Sequence, residues 1–497
     1  MNRHKFTVHL ALAVALVLLA AIVGQVRRWD WQRESAPQPG PQEVAPAGRD
    51  EAETAESEEE SEEESGPAHA EVLVRFRAGT SEERIQADAA RLHDRVEDEI
   101  ESVEGLVAVE DLNGETAEQV VRDYASLPEV EYVEPNEVIR AEPLDPGYGQ
   151  GTLGRSPGDE REEGDASRSP DGGPNDPLLA EQWGLINTGQ RDGKAQADIS
   201  ALSAWSKTHG SQKVVVAVLD SGVDYTHPDL ANNMWHRPDD LDMYFDRQLG
   251  VIDDSDGFSA VERDSDPMDE NGHGTHCAGI IGAEGDNNEG IAGVNWQVEI
   301  MPLKFMGKGG FGTTKDAIEA INYVIQRKSD GVNVRVISAS WGSRLKSRAL
   351  EDVIRKAGDS DILFVAAAGN DSADADRAPH YPSGYKLPNV ISVAALDRRD
   401  QLASFSNYGA KSVHLAAPGK EILSTWLDGD YEEHSGTSMA TPFVAGVAAL
   451  VLSVEPNLTV KELRERLFNT VDKLDSLQGK VVTGGRVNAA RAVGAVH

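Results

Sequence analysis

Three short runs of this chain carry an acid, a base and a hydroxyl, in that order. Asp220 closes an apolar stretch in Val218-Leu219-Asp220-Ser221-Gly222. His273 lies in Asn271-Gly272-His273-Gly274-Thr275-His276, and Ser438 in Gly436-Thr437-Ser438-Met439-Ala440-Thr441-Pro442. A serine hydroxyl is too weak an acid to attack an amide unless a base removes its proton during attack. An imidazole titrates near neutrality, so His273 can take that proton and later deliver it to the leaving amine, while Asp220 holds the ring in one tautomer. The order Asp, His, Ser excludes two other common serine-hydrolase layouts. Taken singly, each motif has a plain reading: an aspartate after a strand is a turn or cap residue, and Gly-Thr-Ser is a helix start. The ordered set is what points to nucleophilic catalysis.

Two neighbours of His273 have competing readings. His276 follows His273 at i+3 on an expected helix, but a zinc helix needs i, i+4 spacing and an acid between, so His276 is read as structural. Cys277 is the single cysteine of the chain. It excludes an intramolecular disulfide, and with Ser438 so well placed it is not read as the nucleophile.

With these motifs in view, the chain from about residue 175 to its C-terminus resembles the subtilisin-family serine peptidases (subtilases). The resemblance implies Asp220, His273 and Ser438 as the triad, and Asn370 in Ala366-Ala367-Ala368-Gly369-Asn370 as the side chain completing an oxyanion hole with the Ser438 backbone N–H. It implies that Ser340, Trp341 and Gly342 pair with substrate backbone as an added strand and line the main pocket. Gly310 in Gly309-Gly310-Phe311-Gly312 belongs to the opposite edge of that cleft, and His380 aligns with the pocket floor, where it would trim the pocket or add pH dependence; the alternative for His380 is an exposed loop histidine. Backbone pairing favours extended, unfolded protein and broad endopeptidase activity. Structural calcium is implied at Asp176, Asp229 and Asn287, with carbonyls near Gly285, Glu289 and Ile291; hard oxygen ligands suit that ion. A second acidic group, Asp264, Asp266 and Asp269, matches only part of a further site and is read as an acidic loop.

The fold expected is α/β, a subtilisin-like three-layer arrangement with a mostly parallel central sheet flanked by helices, preceded by a small α+β prodomain. Short apolar runs at 214–219, 299–303, 334–338, 362–366 and 390–393 suit buried parallel strands. Residues 313–326 and 349–357 have helical spacing, and 439–453, apolar nearly all round, is expected as a central buried helix.

A chain of 497 residues has room for more than one domain. Arg3, His4 and Lys5 precede an apolar run over 6–23, so residues 1–28 read as a signal peptide, with an uncleaved signal anchor and hence a membrane tether as the alternative. Residues 29–69, rich in Pro, Glu and Ser, read as a disordered acidic tether. Residues 70–141 alternate strand and helix patterns and end in Tyr132-Val133-Glu134-Pro135-Asn136, which resembles the inhibitory, chaperone-like prodomain of subtilases. Residues 142–175 form a Gly/Pro/acidic linker where maturation is expected, and 176–497 the catalytic domain. A net charge of −38 argues against nucleic acid as a partner and fits a secreted or extracytoplasmic protein. The partners expected are protein and peptide substrates and the chain's own prodomain, with the enzyme a monomer. The competing classes are a membrane-anchored processing peptidase of narrow specificity and a non-catalytic binding scaffold; the scaffold normally lacks a triad member, and none is lacking here.

Overall fold

Residue patterns that alternate burial on two faces decide the architecture. In the strand Gly210–Asp220, Val214, Val216 and Val218 join one hydrophobic core while Val215, Ala217 and Leu219 join another, so the strand is covered on both sides. Such strands read as continuous apolar runs and belong to sheets sandwiched between helices. The computed structural model describes residues 70–141 and 173–495. The expected signal or anchor at 1–28, the tether at 29–69 and the linker from 142 to 172 lie outside the described residues.

The large sheet has nine strands in the order Asp472–Lys473, Gly485–Arg486, Leu415–Pro418, Val390–Leu396, Leu363–Ala367, Val334–Ala339, Gly210–Asp220, Gln297–Lys304 and Phe258–Ser259. All neighbours are parallel except the first pair. Each of the five strands expected from the sequence is present. The helices Thr437–Val454 and His273–Gly282 cover one face; Thr314–Ser329 and Arg348–Asp359 cover the other. Thr437–Val454 is apolar and long enough to cross a membrane, yet it is buried from Thr437 to Leu452 in the core of this layered fold.

The small N-terminal unit packs Glu82–Leu92 and Ala117–Ala125 on a four-stranded antiparallel sheet ordered Asp94–Glu99, Leu106–Asp111, Glu71–Phe76, Val130–Pro135. Its own core gathers Val72, Val74, Phe76, Val109 and Tyr124. The opposite sheet face, with Leu73, Leu106, Ala108 and Tyr132, merges into the core around Thr314–Ser329 and Arg348–Asp359. Side chains fasten this contact. Glu134 accepts from the backbone N–H groups of Arg348 and Ala349 at 2.8 and 3.1 Å, capping that helix, and the Asn136 amide oxygen accepts from Lys315 N–H at 2.8 Å. A helix start exposes unpaired N–H groups, which an acid answers best.

One further strand, Val138–Ala141, leaves the small unit and lies between Phe311–Thr313 and Trp341–Gly342, antiparallel to both. That three-stranded sheet leads directly to the three candidate catalytic residues.

Candidate active site

Asp220 ends the strand Gly210–Asp220, and His273 begins the helix His273–Gly282. Their side chains meet at 2.7 Å between His273 Nδ1 and Asp220 Oδ1, both essentially buried. Close approach of helix to strand end makes this possible. Gly274 lies so near that a methyl on it would fall 2.0 Å from the Gly222 carbonyl oxygen, and its N–H donates to Ser221 Oγ at 3.0 Å. Asp269 secures the helix start. Its carboxylate accepts from the N–H groups of Asn271, Gly272 and Thr275 and from Thr275 Oγ1, at 2.7 to 3.0 Å. Burial pushes the Asp269 carboxyl up, and these hydrogen bonds work against that shift. The acidic loop thus contains a helix anchor, which the sequence reading did not assign; Asp264 and Asp266 accept from their own loop's N–H groups.

Ser438 occupies the first turn of Thr437–Val454. Its Oγ donates to the Ser340 carbonyl at 2.8 Å, and Ser340 Oγ donates to the Ser438 carbonyl at 2.8 Å, a reciprocal clamp between helix start and strand end. Pro442 is the reason that carbonyl is available: it lacks the N–H that would bond Ser438 four residues back. Cys277 Sγ also approaches the Ser438 carbonyl, at 3.7 Å. The Cys277 sulfur also lies within 4.8 Å of side-chain atoms of Asp220 and His273, which places the Asp–His pair close to the serine's own backbone. The thiol is fully buried and pushed well up by desolvation first and by Asp220 second, which keeps it protonated and inert.

Asn370 is oriented by one partner. Its Oδ1 accepts from both Thr437 N–H (2.9 Å) and Thr437 Oγ1 (3.0 Å), and its buried Nδ2 has no hydrogen-bond partner among the described residues. A buried amide donor left without a partner beside Ser438 N–H is suited to an oxygen that acquires charge there.

His276 is buried and bridges backbone carbonyls: its Nε2 lies 3.1 Å from those of Ile422 and Glu432, and burial lowers its pKa well below the ordinary value. It braces the hairpin Ile422–Thr425 and Tyr431–His434 against the helix.

The cleft edges hold the strand Val138–Ala141 in defined register. Arg140 pairs with Phe311 on one side and Gly342 on the other, Ala141 with Trp341, and Ala141 N–H donates to Gly310 O at 2.8 Å. Ile139 is buried and Arg140 stacks its guanidinium 4.5 Å above the Phe311 ring. Of the three residues expected to pair with substrate, Trp341 and Gly342 lie in the paired strand and Ser340 faces Ser438. His380 is buried, not exposed on a loop.

Asp176, Asp229 and Asn287 come together. Asn287 Nδ2 donates to Asp229 Oδ1 at 2.8 Å, while Asp286 and Asn287 N–H groups donate to Asp176 at 3.0 and 3.5 Å. Burial raises Asp176 to about 6 and Asp229 to about 7, and no ion pair to either is found among the described residues. Two buried oxygen donors with no cationic partner fit a hard cation. The Asn287 oxygen accepts from Glu289 N–H at 2.9 Å, which uses one of its two lone pairs.

Comparison with known proteins bears on this geometry. A family model described as the Subtilase family matches residues 211–489, and one described as the Fervidolysin N-terminal prodomain matches residues 54–136. The "Thermophilic serine proteinase" of Bacillus sp. (strain AK1) is 39% identical over 290 residues, 58% of this chain and 64% of the relative. Thermitase of Thermoactinomyces vulgaris is 37% identical over 295 residues, 59% of this chain and 93% of the relative. Halolysin of Haloferax mediterranei is 37% identical over 304 residues, 60% of this chain and 52% of the relative. Among solved structures, fervidolysin from Fervidobacterium pennivorans, described as a keratinolytic enzyme related to subtilisin, superposes with a TM-score of 0.65 at 25% identity. That match covers 86% of this chain and 61% of fervidolysin. The chain therefore spans less than two thirds of the length of the Bacillus relative, halolysin and fervidolysin.

Proposed function

Because the chain belongs to the subtilase family, we propose that it is an exported serine endopeptidase, made as a zymogen, that hydrolyses extended polypeptide through Ser438, His273 and Asp220. The observation that carries the reading is the 2.7 Å contact of His273 Nδ1 with Asp220, at a helix start beside a serine whose carbonyl and hydroxyl are both fixed by Ser340.

In the covered state the Ser438 proton is directed at Ser340 O. Attack on a substrate carbonyl requires that proton to pass to His273 Nε2, the nitrogen left for it once Nδ1 is committed to Asp220. The carbonyl oxygen becomes an oxyanion, which Asn370 Nδ2 and the Ser438 N–H stabilise. His273 then protonates the leaving amine, the acyl-enzyme forms, and water activated by the same imidazole releases the product.

The small unit acts as the inhibitor in this reading. Its last strand occupies the cleft as a substrate would, main chain to main chain with both edges, and the contacts of Glu134 and Asn136 with two helix starts hold it there. Asp176 and Asp229, with Asn287, would hold a structural calcium ion, which would supply the positive charge that these two buried carboxylates otherwise lack. Export rests on the N-terminal apolar run and on relatives such as the protein named "Halolysin-like extracellular serine protease Nep".

The test is to express the full chain and its Ser438→Ala variant and follow loss of the small unit and hydrolysis of casein. The account expects both in the parent and neither in the variant, with the mature domain recovered from the medium and its melting temperature lowered by chelator. Equal activity in the two chains excludes the serine mechanism.

A further inference from the structure

His273 and Ser438 stand on different helices, His273–Gly282 and Thr437–Val454, and one hairpin joins the two. It runs out along Ile422–Thr425, turns at 426–430, returns along Tyr431–His434 and continues through Ser435-Gly436-Thr437 into Ser438. At the serine the link is covalent. At the histidine it is made by packing. Ser424 Oγ donates to the His276 carbonyl at 2.7 Å and Thr425 Oγ1 to the Thr275 carbonyl at 2.8 Å, both near the start of the His273 helix. Gly279 admits the hairpin, since a methyl there would collide with both hydroxyls.

Trp426 opens the turn of this hairpin, its backbone N–H donating to Asp430 O at 2.7 Å. Its indole lies against Gly272, the residue before His273. Gly272 has φ +100°, and a methyl on it would fall 2.5 to 2.7 Å from three atoms of the indole's six-membered ring. The His434 ring packs on the indole, with centroids 4.5 Å and planes 36° apart, and the His276 ring stands edge-on to His434 at 5.0 Å. Asp269 thus holds the helix start through its N–H groups, and Trp426 backs it through the Gly272 main chain. The start of the His273 helix cannot move toward the hairpin without displacing a ring that His434 braces.

We propose that Trp426 is a positioning residue: by backing Gly272 it fixes where the His273 imidazole stands relative to Ser438. The inference rests on the peptidase reading above. Proton transfer between the two groups needs them within hydrogen-bond reach, and a misplacement of about 1 Å costs on the order of 10²-fold in rate. Trp426 needs no contact with substrate for this. Loss of the indole opens a void beside Gly272, into which the helix start relaxes.

The test uses enzyme matured from the full chain and a peptide p-nitroanilide, which presents no amino acid beyond the scissile bond. Trp426→Ala is expected to lower kcat at least about tenfold with KM changed less than about twofold. Trp426→Tyr, which restores a ring, is expected to recover most of that loss. Unchanged kcat, or as large a loss in Trp426→Tyr as in Trp426→Ala, overturns the proposal. So does a rise in KM alone, because the indole would then be a substrate contact. If Trp426→Ala does not mature, hydrogen exchange decides: adding Trp426→Ala to the Ser438→Ala full chain is expected to speed exchange at residues 272–276, and unchanged rates there overturn the proposal. Failure of the parent to cut the peptide overturns the peptidase reading instead.

Discussion

In the proposed reaction Asn370 is the residue prepared for a charge that exists only while the carbonyl is tetrahedral. Thr437 takes both hydrogen bonds its oxygen can accept, from N–H and hydroxyl, which forces the amide nitrogen toward the space above Ser438. In Asn370→Leu the side chain keeps its bulk and loses the donor. The expected result is a fall in kcat of about 10²–10³-fold with KM little changed, read by steady-state kinetics on a chromogenic peptide. Unchanged kcat would remove Asn370 from the oxyanion site. The residue itself was legible only through the family resemblance carried by Ala366-Ala367-Ala368-Gly369-Asn370. Its partner was not: Thr437 and Asn370 are far apart in sequence, and nothing local announces their contact.

At the scale of elements, the helix that carries His273 depends on Asp269. Four donors of the helix start converge on one buried carboxylate, and removing it leaves backbone N–H groups without a partner away from water. Asp269→Ala, placed in the Ser438→Ala full chain to prevent self-digestion, is expected to lower the melting temperature by several degrees, on the order of 5 °C. Asp266→Ala, on the same loop but exposed, serves as the control and should change it little. Equal shifts for the two would mean the cap does not hold the helix. The strands and helices of the sheet layers were readable because a strand buried on both faces must be apolar throughout, as in Val214 to Leu219. The cap was readable only in hindsight, as an acid placed just ahead of Asn271-Gly272; grouping Asp269 with Asp264 and Asp266 obscured it. The strand Val138–Ala141 had no signal of its own, since its partners are the cleft edges and not its own sheet.

For the whole molecule, the contact between small unit and sheet layers contains an excess of buried acid. Lys315, 1% exposed at its side chain, faces Glu97, Glu71 and Asp98 at 3.2, 3.4 and 3.6 Å. Glu319, Glu101, Asp246 and Arg263 complete the surroundings. Burial raises Glu71 to about 7 and Asp98 to about 6, while Glu97, hydrogen-bonded to Glu71 and close to Lys315 and Arg263, is held low against its own desolvation. Carboxyls raised in the packed state contribute stability below their ordinary pKa near 4, and that contribution is lost as pH climbs through 6 and 7. Glu97 acts oppositely, but only well below that window. The small unit should therefore sit tightest in mild acid and loosen toward alkaline pH. Hydrogen exchange at Ala141 N–H in the Ser438→Ala chain, corrected for intrinsic rate, is expected to show protection falling from about pH 5 to about pH 7 and levelling above that; protection that is flat or rising across that interval would contradict this.

Labelling tests the central claim most directly. A fluorophosphonate that reacts only with an activated serine, applied to the matured protein and located by peptide mass mapping, is expected to modify Ser438 alone, and to fail when His273 is replaced by alanine. Modification of another residue, or undiminished labelling of Ser438 without His273, would contradict the account.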